Sequence, residues 1–275
     1  MPAFICNTCG TQFTPSEREP ERCPICDEER QYVPTSGQTW TTHEALVRRF
    51  NNAFRQHEPG LIGIGTVPAF AIGQRALLLK TASGNVLWDC ISLVDPATVE
   101  IVKGLGGLAG IAISHPHYYG VMVEWAHTFD APIHLHAADR QWVMRPDPAI
   151  KFWDGDTLPL ADGVTLVRCG GHFAGGTVLH WAKGAGGRGA LLSGDIVQVI
   201  PDRKFVSFMR SYPNLIPLSA PAVERIGMLL KPYPFDVIHG AWFDRTIPRD
   251  GKAIVERSIA RYAAAVRGDG SAELN

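Results

Sequence analysis

Five residues of this 275-residue chain stand where chemistry is easiest to do: His115 and His117 in "SHPHYYG", His172 in "GGHFAGG", Asp195 in "SGD" and His239 in "IHG". Each lies where an apolar run gives way to a glycine-bearing loop. Glycine lets the backbone turn sharply and leaves a neighbouring side chain facing a cleft. Strand ends that converge on one sheet edge are where residues distant in sequence meet. Imidazoles and carboxylates together ligate divalent metal ions. One histidine so placed is most simply a packed or surface residue, but the same context recurring at five residues makes a metal centre the better reading.

A second constellation lies near the N-terminus. Cys6 and Cys9 in "CNTCG" are followed, after thirteen residues, by Cys23 and Cys26 in "CPIC". Two C-x-x-C knuckles can present four thiolates to one ion in tetrahedral geometry. A segment this short buries too little apolar surface to fold unaided, so the ion must supply much of its stability. Residues 4–33 resemble the rubredoxin-like domains found in rubrerythrins, in the "CxxCG…CPxC" pattern and the aromatics around it. That resemblance fits a zinc ribbon or an iron rubredoxin, and a structural Zn2+ site is favoured over Fe.

These residues need elements to hold them. "VPTSGQTW" (33–40) reads as a linker, which places a four-cysteine metal-binding domain at 1–36 and a second domain at 37–275. "TTHEALVRRFNNAFRQH" carries Thr41 and Glu44 in capping-box spacing and apolar residues at helical intervals, so it predicts an amphipathic helix ending before Pro59-Gly60. His43 and His57 would then be solvated helix residues. Beyond it, short apolar runs broken by Gly, Pro and Asp alternate with helical stretches, among them "PATVEIVKGLGG", "GVMVEWAHTF", "PAVERIGMLLKPY" and "AIVERSIARYAAAV". "TASGN" reads as a hairpin turn, "LAGIAISH" as a buried parallel strand, and Asp139 as the cap of a helix starting at "ADRQWVM". The class is α/β, with helices packed on paired sheets. "GLGGLAG" (104–110) mimics a dinucleotide fingerprint. A helix precedes it and a strand follows, the reverse of what that motif requires, so it is a helix end and a turn.

Hydrophobic residues make up 45% of the chain and charged residues 19%, with a net charge of −1, so a large core is available and no electrostatic footprint for nucleic acid or an anionic membrane exists. No secretory signal or membrane span is evident, which predicts a cytoplasmic protein whose cysteines are thiols or metal ligands rather than disulfides. The expected partner is a small-molecule substrate, with homo-oligomerisation left open. Cys90 and Cys169 read as buried free thiols, and His134 and His136 as strand residues.

Taken in order, the motifs of residues 61–250 are similar to those of the metallo-β-lactamase superfamily. That resemblance implies an αββα sandwich of two mixed sheets with helices outside. The family's H-x-H-x-D-H motif is matched by His115 and His117, its lone loop histidine by His172, its strand-end aspartate by Asp195 and its last histidine by His239. "NVLWDC" resembles another family strand and makes Asp89 a supporting residue. The departure is at Tyr119 and Gly120, which stand at the Asp and His positions that serve a second ion. The expectation is a single-ion site of His115, His117 and His172, with Zn2+ favoured and Fe or Mn as alternatives. A metal-activated water would attack a carbonyl or phosphoryl centre, as in a hydrolase of an ester, lactone, thioester or phosphoester. Asp195 would be a fourth ligand or a base, His239 a second metal ligand or a proton-transfer residue, and Tyr119 an oxyanion donor. Two alternatives remain open: an oxygen-handling redox protein with an iron rubredoxin domain, and a catalytically silent binding or signalling member.

Overall fold

Strands Arg75–Leu79, Val86–Trp88 and Gly110–Ala112 are buried at every position, as unbroken apolar runs require of strands covered on both faces. They form the middle of a seven-stranded sheet whose order follows the chain, from Asn51–Glu58 and Leu61–Val67 on one side to Ile133–His136 and Ile150–Trp153 on the other. The first four strands pair antiparallel and the last four parallel. Parallel neighbours need crossovers. Helix Pro96–Gly104 makes one, started by Asp95, whose carboxylate accepts the Thr98 N–H at 2.7 Å, and helix Met122–Phe129 makes the next. The glycine-rich stretch at 104–110 is the expected helix end, with Gly106 and Gly107 at positive φ before the strand at Gly110.

The structure, a computed structural model, describes residues 1–269, so positions 270–275 of the expected second domain lie outside the described residues. Two compact units divide the chain, Met1–Trp153 and the part from Asp154 onward. The cysteine segment belongs to the first. Its strand Phe4–Cys6 pairs antiparallel with Trp40–Thr42, which joins the last residue of the stretch read as linker and the first two of the expected helix to the module.

The helix expected over 41–57 is mostly a strand. Only His43–Val47 is helical, capped by Thr42 rather than Thr41, and Asn51–Glu58 pairs with Leu61–Val67. Pro59-Gly60, read as a helix stop, is the hairpin turn between them, with Gly60 at φ +87. Pairing along the whole of Leu61–Val67 outweighed a helical pattern of modest strength. His43 is accordingly no solvated helix residue, since its Nε2 accepts the Val94 N–H at 3.1 Å. His57 meets the buried Arg75 guanidinium at 2.6 Å. Asp139 does not cap a helix either: residues Ala137–Trp142 form a 3-10 turn capped by His136, whose Nδ1 accepts the Ala138 N–H.

In the second unit, six strands run in the order Thr157–Ala161, Val164–Arg168, Thr177–Trp181, Ala190–Gly194, Val237–Gly240, Thr246–Ile247. Only the pair Ala190–Gly194 and Val237–Gly240 is parallel, and helix Ala220–Leu230 lies in the crossover between them. That helix and Gly251–Arg267 cover a core of Val178, Leu191, Phe208, Val223, Ile226, Ile238 and Ile254. Among the described residues no helix is long and apolar enough to cross a membrane.

Candidate metal centres

The cysteine centre is assembled by backbone turns. In the first knuckle Gly10 N–H donates to the Cys6 carbonyl at 2.8 Å, and Cys9 N–H points at Cys6 Sγ at 3.5 Å. In the second, the Cys26 and Asp27 amides both donate to the Cys23 carbonyl at 3.0 Å. The four sulfurs converge, with Cys6 3.6 Å from Cys26 and Cys9 3.7 Å from Cys23. A disulfide would need about 2.05 Å. Sulfurs held at about 2.3 Å from a central ion in a tetrahedron lie about 3.8 Å apart, so the donor set fits a tetrathiolate ion. Gln38 adds a side-chain donor to Cys6 Sγ at 3.0 Å, from the stretch expected to be linker. Hydrogen bonds from Cys23, Cys26 and Cys9 push the Cys6 thiol well below its ordinary range, while Cys9 is pushed up by sharing the same contacts. A bound ion would deprotonate the coordinating thiols.

The second centre draws on loops at strand ends, and its parts in the first unit come from one such loop. After strand Gly110–Ala112, His115 is extended and Pro116–Tyr118 makes a single 3-10 turn that carries His117. Both histidines are buried, their ring centroids 5.2 Å apart, and the Tyr118 ring lies 4.4 Å from that of His115. Asp89 supports the loop from the preceding strand end: its Oδ1 accepts the Ser114 N–H at 2.7 Å, and Ser114 Oγ lies 2.8 Å from His115 Nδ1. Asp89 therefore supports His115 through the intervening Ser114.

In the second unit, Gly170 and Gly171, both at positive φ, present His172. Its Nδ1 lies 3.0 Å from the Met209 carbonyl. A carbonyl only accepts, so Nδ1 carries the proton and Nε2 keeps its lone pair for a ligand. Asp195 follows strand Ala190–Gly194, with Gln198 Nε2 3.4 Å from its Oδ1. Tyr212 donates its hydroxyl to the Asp195 carbonyl at 2.9 Å, and its ring sits 5.6 Å from that of His172.

One ligand atom from each of His115, His117, His172 and Asp195 falls within 4.8 Å of the other three, and all four residues are buried. An ion about 2.1 Å from each donor spans that spread after small side-chain adjustments, and three imidazoles with one carboxylate suit a borderline divalent ion. His239 is buried on strand Val237–Gly240 but is not one of this group. Tyr119 lines a small cavity with Thr11, Gln12, Met144 and Arg145, and burial, with the nearby Asp139 charge, pushes its hydroxyl pKa up. At Gly120 the backbone is at φ +50, and a Cβ would lie 2.7 Å from the Ile91 carbonyl oxygen.

Sequence reasoning missed three supports: the Met209 carbonyl, Ser114 and the Tyr212 hydroxyl. None carries a motif, because a carbonyl is common to every residue and a serine or tyrosine is common in loops. Phe205 and Phe208 of the second unit are packing residues. Phe208 is in the second core, and Phe205 lies 3.6 Å under the Arg261 guanidinium. Burial pushes the Cys169 thiol up to about 12 and the Cys90 thiol well above its ordinary range, so neither is an activated nucleophile.

No family model matches the chain. Among solved structures, DIM-1 metallo-β-lactamase superposes with a TM-score of 0.60 at 13% identity, covering 79% of this chain and 100% of that one. A Cronobacter sakazakii metallo-β-lactamase with an HARLDQ motif gives 0.52 at 18% identity over 85% of this chain and 94% of the other. These likenesses show the fold: the αββα sandwich of mixed sheets expected from the motifs, here with a cluster of four cysteines at the N-terminal end. A protein of Bacillus subtilis (strain 168) described as uncharacterized protein YmaE is 48% identical over 271 residues, 98% of each chain. The chain belongs to the YmaE family. For this member of that family, both metal-ligand groups come from residues singled out in the sequence, and His239 alone of the expected ligands falls outside them.

Proposed function

We propose that this member of the YmaE family is a metal-dependent hydrolase with a single ion at His115, His117, His172 and Asp195. The observation that carries the reading is the buried convergence of those four ligand atoms, with His172 held in its metal-binding tautomer by the Met209 carbonyl. An ion bound there acidifies a water and polarises a carbonyl or phosphoryl group. The chain's own residues do the rest. Ser114 and Asp89 hold the His115 ring in place, and Met209 and Tyr212 do the same for His172 and the Asp195 backbone. Asp195 supplies the negative charge that offsets the cation and can accept a proton from water. His239 is assigned to substrate binding or proton transfer. Tyr119 is not given the oxyanion role, because it lines a cavity with residues of the cysteine module.

A single ion is favoured because position 120 has no room for a side chain and position 119 carries no carboxylate. Zinc is the proposed ion in both centres, and the substrates are esters, lactones, thioesters or phosphoesters. Metal analysis of the purified chain tests this: two zinc ions per chain are expected, and three ions would end the single-ion proposal. Hydrolysis of an ester, lactone, thioester and phosphodiester panel by the wild type and His115→Ala tests the chemistry. Equal rates for the two proteins on every substrate would remove the hydrolase reading. A red protein with intense visible bands would replace zinc by iron in the tetrathiolate centre.

A further inference from the structure

The first cysteine knuckle does more than hold its own ion. Gly10, one residue past Cys9, sits at φ +79 with its carbonyl accepting the Ser92 hydroxyl at 2.8 Å, and a Cβ there would collide with that hydroxyl. Two residues on, Gln12 N–H donates to the Gly120 carbonyl at 3.1 Å. The Gln12 side chain then closes a half-buried polar cluster: its Nε2 donates to Glu124 Oε1 at 3.0 Å, and Arg145 Nη1 donates to Gln12 Oε1 at 2.5 Å and to Glu124 Oε1 at 2.6 Å. Burial raises the Glu124 pKa, but the bonds from Arg145 and Gln12 outweigh it and hold the carboxylate ionised. Ile72, Trp142 and Met144 pack against the cysteines themselves.

Three of these contacts, at Ser92, Gly120 and Glu124, fall on the two segments that frame the histidine loop. Ser92 follows Cys90 and Ile91, whose backbone grips that loop: Cys90 N–H donates to the Tyr118 carbonyl at 3.1 Å, and Val121 N–H donates to the Ile91 carbonyl. Gly120 and Glu124 lie directly after the turn that carries His117. The loop is therefore clamped from one side by residues 89–92 and from the other by the knuckle, with Gly120 pressed against Ile91 between them.

We propose that the tetrathiolate centre positions His117 and His115, so that filling the cysteine site raises the affinity of the histidine site for its ion. Gln12 and Arg145 are the positioning residues that carry the coupling. This rests on the metal-centre reading above. Ordering the knuckle fixes the Gly10 carbonyl and the Gln12 amide, which removes conformations the histidine loop would otherwise sample, and by linkage each site's occupancy favours the other.

Cobalt(II) titration of the full chain tests this, because thiolate-bound and imidazole-bound cobalt have separate absorption bands and the two sites can be read independently. Three proteins are compared: wild type, Cys23→Ser, and the double variant Gln12→Ala/Arg145→Met, which keeps all four thiolates. Histidine-site affinity is expected to fall about tenfold or more in Cys23→Ser, and about fivefold in the double variant while its thiolate band stays intact. Unchanged histidine-site affinity in the double variant with the thiolate site filled overturns the coupling, and this arm decides the matter if Cys23→Ser does not fold. Absence of any histidine-site cobalt spectrum in the wild type is a different outcome, which overturns the metal-centre reading itself.

Discussion

The two ligand clusters are built in opposite ways. The cysteines come from two tight knuckles 20 residues apart at their outermost members, and their small core is the cysteines and Ile25 with Phe13, Trp40, Ile72, Trp142 and Met144 partly buried against it. The histidines and Asp195 are spread from 115 to 195 and stand on loops fixed by large sheets, carbonyls and capped helices. The first cluster is expected to need its ion in order to fold, whereas the second stands on elements that have large cores of their own.

The sharpest way to break this contrast is at the cysteines. Cys9→Ser is expected to unfold residues 1–42 while both sheets persist, because structural zinc in such modules contributes about 10–16 kcal/mol of apparent binding energy. Limited proteolysis reads the result, and a variant whose N-terminal segment stays protected would show that the module does not depend on its ion. The matching change in the other cluster should leave the fold nearly intact. His115→Ala is expected to lower hydrolysis by more than about 100-fold, beyond what loss of a ligand's supporting residue costs. Its thermal midpoint should move by only about 2–4 °C. A collapse of the midpoint in a melt would mean that the second site is as dependent on its ion as the first.

Smaller effects refine the comparison. Gly120→Ala forces a side chain into a left-handed backbone against the Ile91 carbonyl, and should cost about 1–3 kcal/mol in chemical denaturation. The least of the effects is in pH. Burial pulls the pKa values of His43, His134 and His180 below the ordinary histidine range, so the folded protein binds fewer protons than the unfolded chain just below about pH 6.5. Stability from these residues is full above that pH and falls as the pH drops toward their folded pKa values. Melts from pH 7.5 to 5 should show the loss, smaller in His43→Gln, and a midpoint that rises on acidification would contradict the sign.

The sequence was most legible where chemistry and punctuation coincide. Cys6, Cys9, Cys23 and Cys26 declare themselves by spacing, and His115, His117, His172 and Asp195 by glycine loops after apolar runs. The helices at 96–104, 122–129, 220–230 and 251–267 show in their apolar periodicity and, for the first, in Asp95. Residues 41–58 misled because Leu46, Phe50 and Phe54 satisfy a helical spacing, while the strand is decided by a partner, Leu61–Val67, that a local pattern cannot report. The same limit hid the ends of the cysteine module. Trp40–Thr42 joins it by pairing with Phe4–Cys6, and Gln38 by reaching Cys6 Sγ. Tyr119 was misjudged because one step along a tight turn changes which neighbours a side chain meets: Tyr118 has His115, and Tyr119 has the knuckle.

Asp89 holds a conformation that glycine would adopt without strain, at φ +61, while its carboxylate fastens the Ser114 amide beside His115. Those two facts set backbone strain against loop anchoring at one position. Glycine there would relax the backbone but leave the buried Ser114 amide without its acceptor and release the loop. The carboxylate that holds the histidine loop thus sits on the one kind of backbone where a side chain costs most, and the loop's anchor carries local strain.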